Sequence, residues 1–166
     1  MREDRTKTIT KVSILIALTV IMTIVIMIPI VGGNGYVNLG DMVIFISAMM
    51  LGGKWAFLVG GIGSFLADIF LGYTLYAPAS FVIKGLEGFI AASLIKSKLG
   101  EKYRLISTLI AGVWMALGYY IFEIFLYGPG PALLSVPANL IQGVVGALAA
   151  NLVFKGLTAA KILKEE

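Results

Sequence analysis

Long apolar runs separated by short breaks of glycine, proline and charge set the rhythm of this chain. The runs cover residues 12–30, 39–51, 55–71, 79–95, 105–126 and 133–154. A helix needs about 20 residues, within a range of about 17–25, to cross the hydrocarbon of a bilayer. Five of the runs meet that length. The run 39–51 is short, so it must tilt, lean on the loop before it or cross only part of the membrane. The breaks fall at 31–38, with three glycines, and at 52–54, 72–78, 96–104 and 128–131, the last reading GPGP. Period-two alternation is nowhere sustained, which argues against a transmembrane β-barrel. The predicted fold is all-α: one membrane domain over residues 1–166, a bundle of six transmembrane helices.

Composition agrees with that class. The chain is 59% hydrophobic and 13% charged, whereas soluble domains carry about 25% charge. The basic residues add an orientation. Twelve of the thirteen Lys and Arg lie before the first run, between the second and third, between the fourth and fifth, and after the sixth. By the positive-inside rule both termini are cytoplasmic. The formal charge of +4 is therefore a basic skirt rather than a nucleic-acid surface. The first run is long enough to span and has no A-x-A site after it, so it is read as a helix and not a cleaved leader. With no Cys and no His, thiol chemistry, imidazole acid–base catalysis and Cys/His metal sites are excluded. No cofactor or metal is expected, and an enzyme is the least favoured class.

The thirteenth cation, Lys84, stands inside the fourth run. At about 1.5 Å per helical residue, the five intramembrane charges Asp41, Asp68, Lys84, Glu87 and Glu123 all map to the outer half. So do Asn139, Gln142 and six of the seven tyrosines. Ionisable groups at such depth are costly and normally face a protein interior or a polar cavity. The hairpin 66–88, LADIFLGYTLYAPASFVIKGLEG, carries Asp68, Tyr73, Tyr76, Lys84 and Glu87 and is expected to form one wall of a small-molecule pocket. Bland readings compete. Any single tyrosine can belong to an interfacial belt, and Lys84 can be a structural bridge to Asp68 or Glu87. One lysine nevertheless leaves three of the four carboxylates uncompensated. Asp41 and Glu123, nearest the helix ends, are expected to be solvated; Glu87 is the least expected to be. Carboxylates, amides and phenols together suit a small polar ring compound, stacked on a phenol and held at its edge. The glycines of VGGIGS, Gly60, Gly61 and Gly63, are read as helix packing rather than a phosphate loop. Ser13 with Ala17, and Gly143 with Ala147, make small-xxx-small faces.

The stretch YVNLGDMVIFISAMMLGGKWAFLVGGIGSFLADIFLGY, followed by YAPASFVIKGLEGFIAA, resembles the substrate-binding S components of energy-coupling factor (ECF) vitamin transporters, in the riboflavin-transporter-like subgroup. NLGD, GSFLAD, YAPASF and KGLEG carry the likeness together; the rest of the chain follows by topology. The resemblance implies a six-helix importer subunit in a bacterial or archaeal plasma membrane. Its substrate would be a water-soluble vitamin or precursor: a B6 vitamer, a hydroxymethylpyrimidine-like ring or riboflavin. It implies that the loop 31–38, with Tyr36 and Asn38 at its end, closes over the ligand. Lys84, Glu87, Trp114, Tyr119, Glu123, Asn139 and Gln142 would join Asp68 and Tyr76 as substrate contacts. It also implies docking through small residues of the first helix, Ser13 and Ala17, onto a membrane T subunit driven by two cytoplasmic ATPases. The family's usual pair there is Ala-xxx-Ala, so Ser13 is a departure. The alternatives are a small secondary transporter coupled to H⁺ or Na⁺ through Asp68 or Glu87, and a structural membrane protein.

Overall fold

The shortest long helix is the one the others surround. In the computed structural model, which describes residues 2–30, 35–97, 100 and 103–161 (for 2–4 the backbone alone), α2 is Gly40–Leu51. Residues 43 to 48, Val-Ile-Phe-Ile-Ser-Ala, are all buried. A helix that is apolar on every side belongs in a core. At about 1.5 Å per residue it is about 18 Å long, well short of the ~30 Å hydrocarbon thickness. It is packed by α1 (Arg2–Val25), α3 (Gly53–Leu71), α4 (Ala77–Ile95) and α7 (Val136–Ala159), while α5 (Arg104–Tyr127) closes the bundle between α4 and α7. A single-turn helix, α6 (Pro129–Leu133), precedes α7. Five helical stretches, in α1, α3, α4, α5 and α6–α7, are long and apolar enough to cross a membrane.

Several boundaries differ from those read in the sequence. Helix α1 begins ten residues before its apolar run and stops at Val25, not at 30. Pro29 lacks a backbone donor and disfavours helix at Ile28 before it. Ile28–Pro29 (β1) instead pairs antiparallel with Tyr36–Val37 (β2), Ile28 facing Val37. Of the loop 31–38, residues 31–34 lie outside the described residues, as do Lys98, Lys102 and Lys164 of the basic end. Helix α4 starts two residues earlier than read, because Pro78 is tolerated in a first turn, where its missing N–H is not needed. The GPGP break is itself partly helical, as α6.

The packing uses small residues, as it must where lipid is as apolar as the core. One cluster joins Phe45, Ile46 and Ala48 of α2 with Ala56, Ala91, Ala92, Ala111, Ala147 and Ala150. A second joins Val12 and Leu15 of α1 to Val43 and Val59. Where α5 crosses α7, a methyl added to Gly112 would stand 3.0 Å from the Gly143 Cα, and the reverse holds. Ser13 and Ala17 are exposed, on the side of α1 turned away from the bundle.

Candidate functional site

The helix directions bring the end of α1, the β-hairpin and the start of α2 to one end of the bundle. The α3–α4 turn, the end of α5, α6 and the start of α7 meet them there. The α3–α4 turn is set by Gly72, whose φ of 82° is a left-handed helix cap, its N–H reaching the carbonyls of Asp68 and Ile69. Within this end lies a narrow hollow, open on one side. Tyr36, Asn38, Asp68, Tyr76, Lys84, Tyr119, Glu123, Asn139 and Gln142 all line it. Every helix except α2 and the short α6 contributes to the wall, together with the hairpin.

A continuous polar chain runs along one side. Thr23 donates to Asn38 Oδ1 at 3.3 Å, and the Asn38 backbone N–H donates to Gln142 Oε1 at 2.8 Å. Gln142 Nε2 donates to Asp41 Oδ2 at 2.9 Å, and Asp41 Oδ1 accepts from Lys84. Lys84 Nζ also stands 3.3 Å from Glu87 Oε2, though neither Glu87 oxygen has a partner in hydrogen-bond geometry. The ammonium lies 5.7 Å from the centre of the Tyr119 ring, within cation–π range. Asp41 and Glu87 are both fully buried.

Two further carboxylates face the hollow with only hydroxyl partners. Tyr36 donates to Asp68 Oδ1 at 2.6 Å, whereas Asp68 Oδ2 is buried with no partner. Ser80 is close enough to Asp68 to act on it, but its hydrogen bond is the 2.8 Å contact with Tyr119. Glu123 is bonded by Tyr76 at 3.1 Å and by Ser135, the residue that joins α6 to α7. Burial first, and then the charge of Asp68, pushes the Tyr36 phenol well above its ordinary value; burial does the same for Tyr76. Both remain donors. Tyr36, Tyr73, Tyr76 and Phe122 form a relay of tilted and edge-on rings, with centroids 4.9, 6.2 and 5.4 Å apart.

Two expectations about charge are corrected. Asp41 and Glu123 are not solvated: they are 0% and 2% exposed. The cover comes from Gln142 over Asp41, 101 residues away, and from Ser135 over Glu123, twelve residues away. Lys84 bridges to Glu87, one of the two partners expected of it, but its second partner is Asp41 and not Asp68. Two residues singled out in the sequence stand off the wall. Glu87 lies behind Lys84, and the Trp114 indole donates to the Ile83 carbonyl at 3.3 Å. Thr23, Ile30, Gly35, Ser64 and Ser80 line the hollow without having been singled out. Thr23 had a signal, since it follows Thr19 by one turn in an otherwise apolar stretch of α1. No cluster of three or more potential metal ligands occurs among the described residues.

A family model for the ECF-type riboflavin transporter S component matches residues 3–159. The chain belongs to that family. As an S component it is a multi-pass membrane protein of a transporter family rather than of an enzyme family. An uncharacterized protein of Pyrococcus woesei is 36% identical over 128 residues, which cover 77% of this chain and 86% of that protein. The thiamine precursor transporter HmpT of Lactococcus lactis subsp. cremoris (strain MG1363) is 28% identical over 152 residues, covering 91% of this chain and 87% of HmpT. A solved S component of a bacterial ECF transporter superposes with a TM-score of 0.80 at 22% identity, over 97% of this chain and 99% of that one. That likeness is one of fold: the six long helices of this S component are arranged as in the solved one.

Proposed function

We propose that this chain captures a small, polar, water-soluble ring vitamin or its precursor at the outer face of a bacterial or archaeal plasma membrane. The candidates are a B6 vitamer, a hydroxymethylpyrimidine-like ring and riboflavin. The chain hands the ligand to a membrane T subunit driven by two cytoplasmic ATPases. The observation that carries the reading is the convergence of nine polar or aromatic side chains, from the hairpin, α3, α4, α5 and α7, on one hollow at one end of a bundle. Here a buried carboxylate oxygen on the wall, Asp68 Oδ2, has no partner, and an unmet buried acceptor is costly. The described basic residues other than Lys84 lie at the opposite end, which supports an outward-facing hollow by the positive-inside rule. The description of the matched family favours riboflavin and that of HmpT a thiamine precursor. Ser13 and Ala17, exposed on α1, offer a close-packing face for the T subunit.

The test is mass spectrometry of the small molecule that co-purifies with the detergent-solubilised protein, followed by titration of that molecule into stripped protein. Saturable one-to-one binding of a ring vitamin or precursor is the expected result. Absence of any co-purifying compound, with no binding of pyridoxine, hydroxymethyl aminopyrimidine, their aminomethyl counterparts or riboflavin, overturns the proposal.

A further inference from the structure

We infer that the ligand of this hollow carries a positive charge: a protonated amine on a single aromatic ring, seated against Asp68. The inference rests on the capture reading above and narrows it. The first ground is how the buried charges are partnered. Lys84 is the one cation on the described wall, and it is already engaged by Asp41 and faces Glu87 at 3.3 Å. The two carboxylates that line the hollow, Asp68 and Glu123, are 3% and 2% exposed. Their hydrogen-bond partners are the neutral hydroxyls of Tyr36, Tyr76 and Ser135. The second ground is independent of the count. Asp68 lines the hollow, and its Oδ2 is buried with no partner in hydrogen-bond geometry, the Ser80 hydroxyl standing nearby.

An acceptor so placed is completed by a donor, and a cationic N–H donor is worth about twice a neutral one. A ligand edge of carbonyls and unprotonated ring nitrogens sets acceptor against acceptor at the same point and leaves the carboxylate unmet. The rings of Tyr36 and Tyr76 border the same hollow, so a flat aromatic body is held while its amine points at Asp68.

The experiment uses two matched pairs of probes on the full purified chain. Each pair differs only in ammonium against hydroxyl: pyridoxamine and pyridoxine, and the aminomethyl and hydroxymethyl forms of the aminopyrimidine. Riboflavin is the neutral comparison. In at least one pair the cation is expected to bind about tenfold tighter or more, about 1.4 kcal/mol, and Asp68→Asn is expected to erase that preference. Equal or tighter binding of the hydroxyl member in both pairs, or tight riboflavin binding that Asp68→Asn leaves untouched, overturns the inference while the capture reading stands. Failure of all five probes overturns both. If Asp68→Asn does not fold, the preference of the parent protein within each pair decides alone.

Discussion

Lys84 holds together two carboxylates that have no other cation among the described residues, and its removal gives a prediction with a worked magnitude. It is 2% exposed, hydrogen-bonded to Asp41 and 3.3 Å from Glu87 Oε2. In Lys84→Met the stem is replaced at nearly equal volume, so packing changes little. What remains is two fully buried carboxylates, of which Asp41 keeps one donor, Gln142 Nε2 at 2.9 Å. Breaking a buried pair by deleting one partner costs about 3–5 kcal/mol. For a chain of this size each kcal/mol moves the midpoint by about 2–4 °C, so thermal unfolding in detergent is expected to fall by about 6–20 °C. The control adds Asp41→Asn and Glu87→Gln to Lys84→Met. If stranded charge is the cause, the triple variant recovers most of the loss, because amides need no counter-ion. A Lys84→Met midpoint within about 2 °C of the parent, or a triple variant no better than the single, refutes the argument.

Three further outcomes follow from the same geometry. Gly146 lets α7 approach the first turn of α2, since a methyl there would stand 2.7 Å from the Asp41 Cβ. Gly146→Ala should cost about 1–3 kcal/mol in melting experiments, while Gly130→Ala, which meets nothing within 4 Å, should melt like the parent. Trp114→Phe gives up the bond to the Ile83 carbonyl at a residue that does not line the hollow, so ligand affinity by calorimetry should stay within about twofold; a tenfold loss would return the indole to the site. Ala17→Trp on the exposed face of α1 should leave ligand binding intact and abolish uptake in vesicles containing the T subunit and ATPases, and normal uptake would exclude that face as the dock.

How much of this was legible in the sequence depends on how far apart the determining residues lie. Polar groups in an apolar chain announce themselves, because lipid gives them no other reason to exist, and alternating helix direction sends them to one end. Neither argument shows which of them touch. Asp41 opens a helix, and locally that position says water; its burial is decided by Gln142, 101 residues away. Glu123 owes its cover to Ser135, at the N-cap of α7 just past α6, itself a turn of helix in a GPGP break that sequence alone reads as loop. The β1–β2 pairing, two residues on each side, is too short to leave a pattern.

Trp114 is different, because its placement was readable. Residues advance by about 100° each around a helix. Tyr119 and Glu123 are four apart and share a face, and both line the hollow. Trp114 precedes Glu123 by nine residues, about two and a half turns, which sets it on the opposite side of α5. The structure has it there, bonded to α4 through the Ile83 carbonyl. On α4 the count puts Ser80, Lys84 and Glu87 on one face, and depth alone separates those that line from the one that supports. Ser80 and Lys84, four apart, both reach the wall. Glu87, one turn deeper, meets the Lys84 ammonium from behind, so the lysine carries charge from a closed interior to the surface of the hollow. Depth along the axis and angle around it thus divide the polar residues into those that line the hollow and those that hold the lining in place.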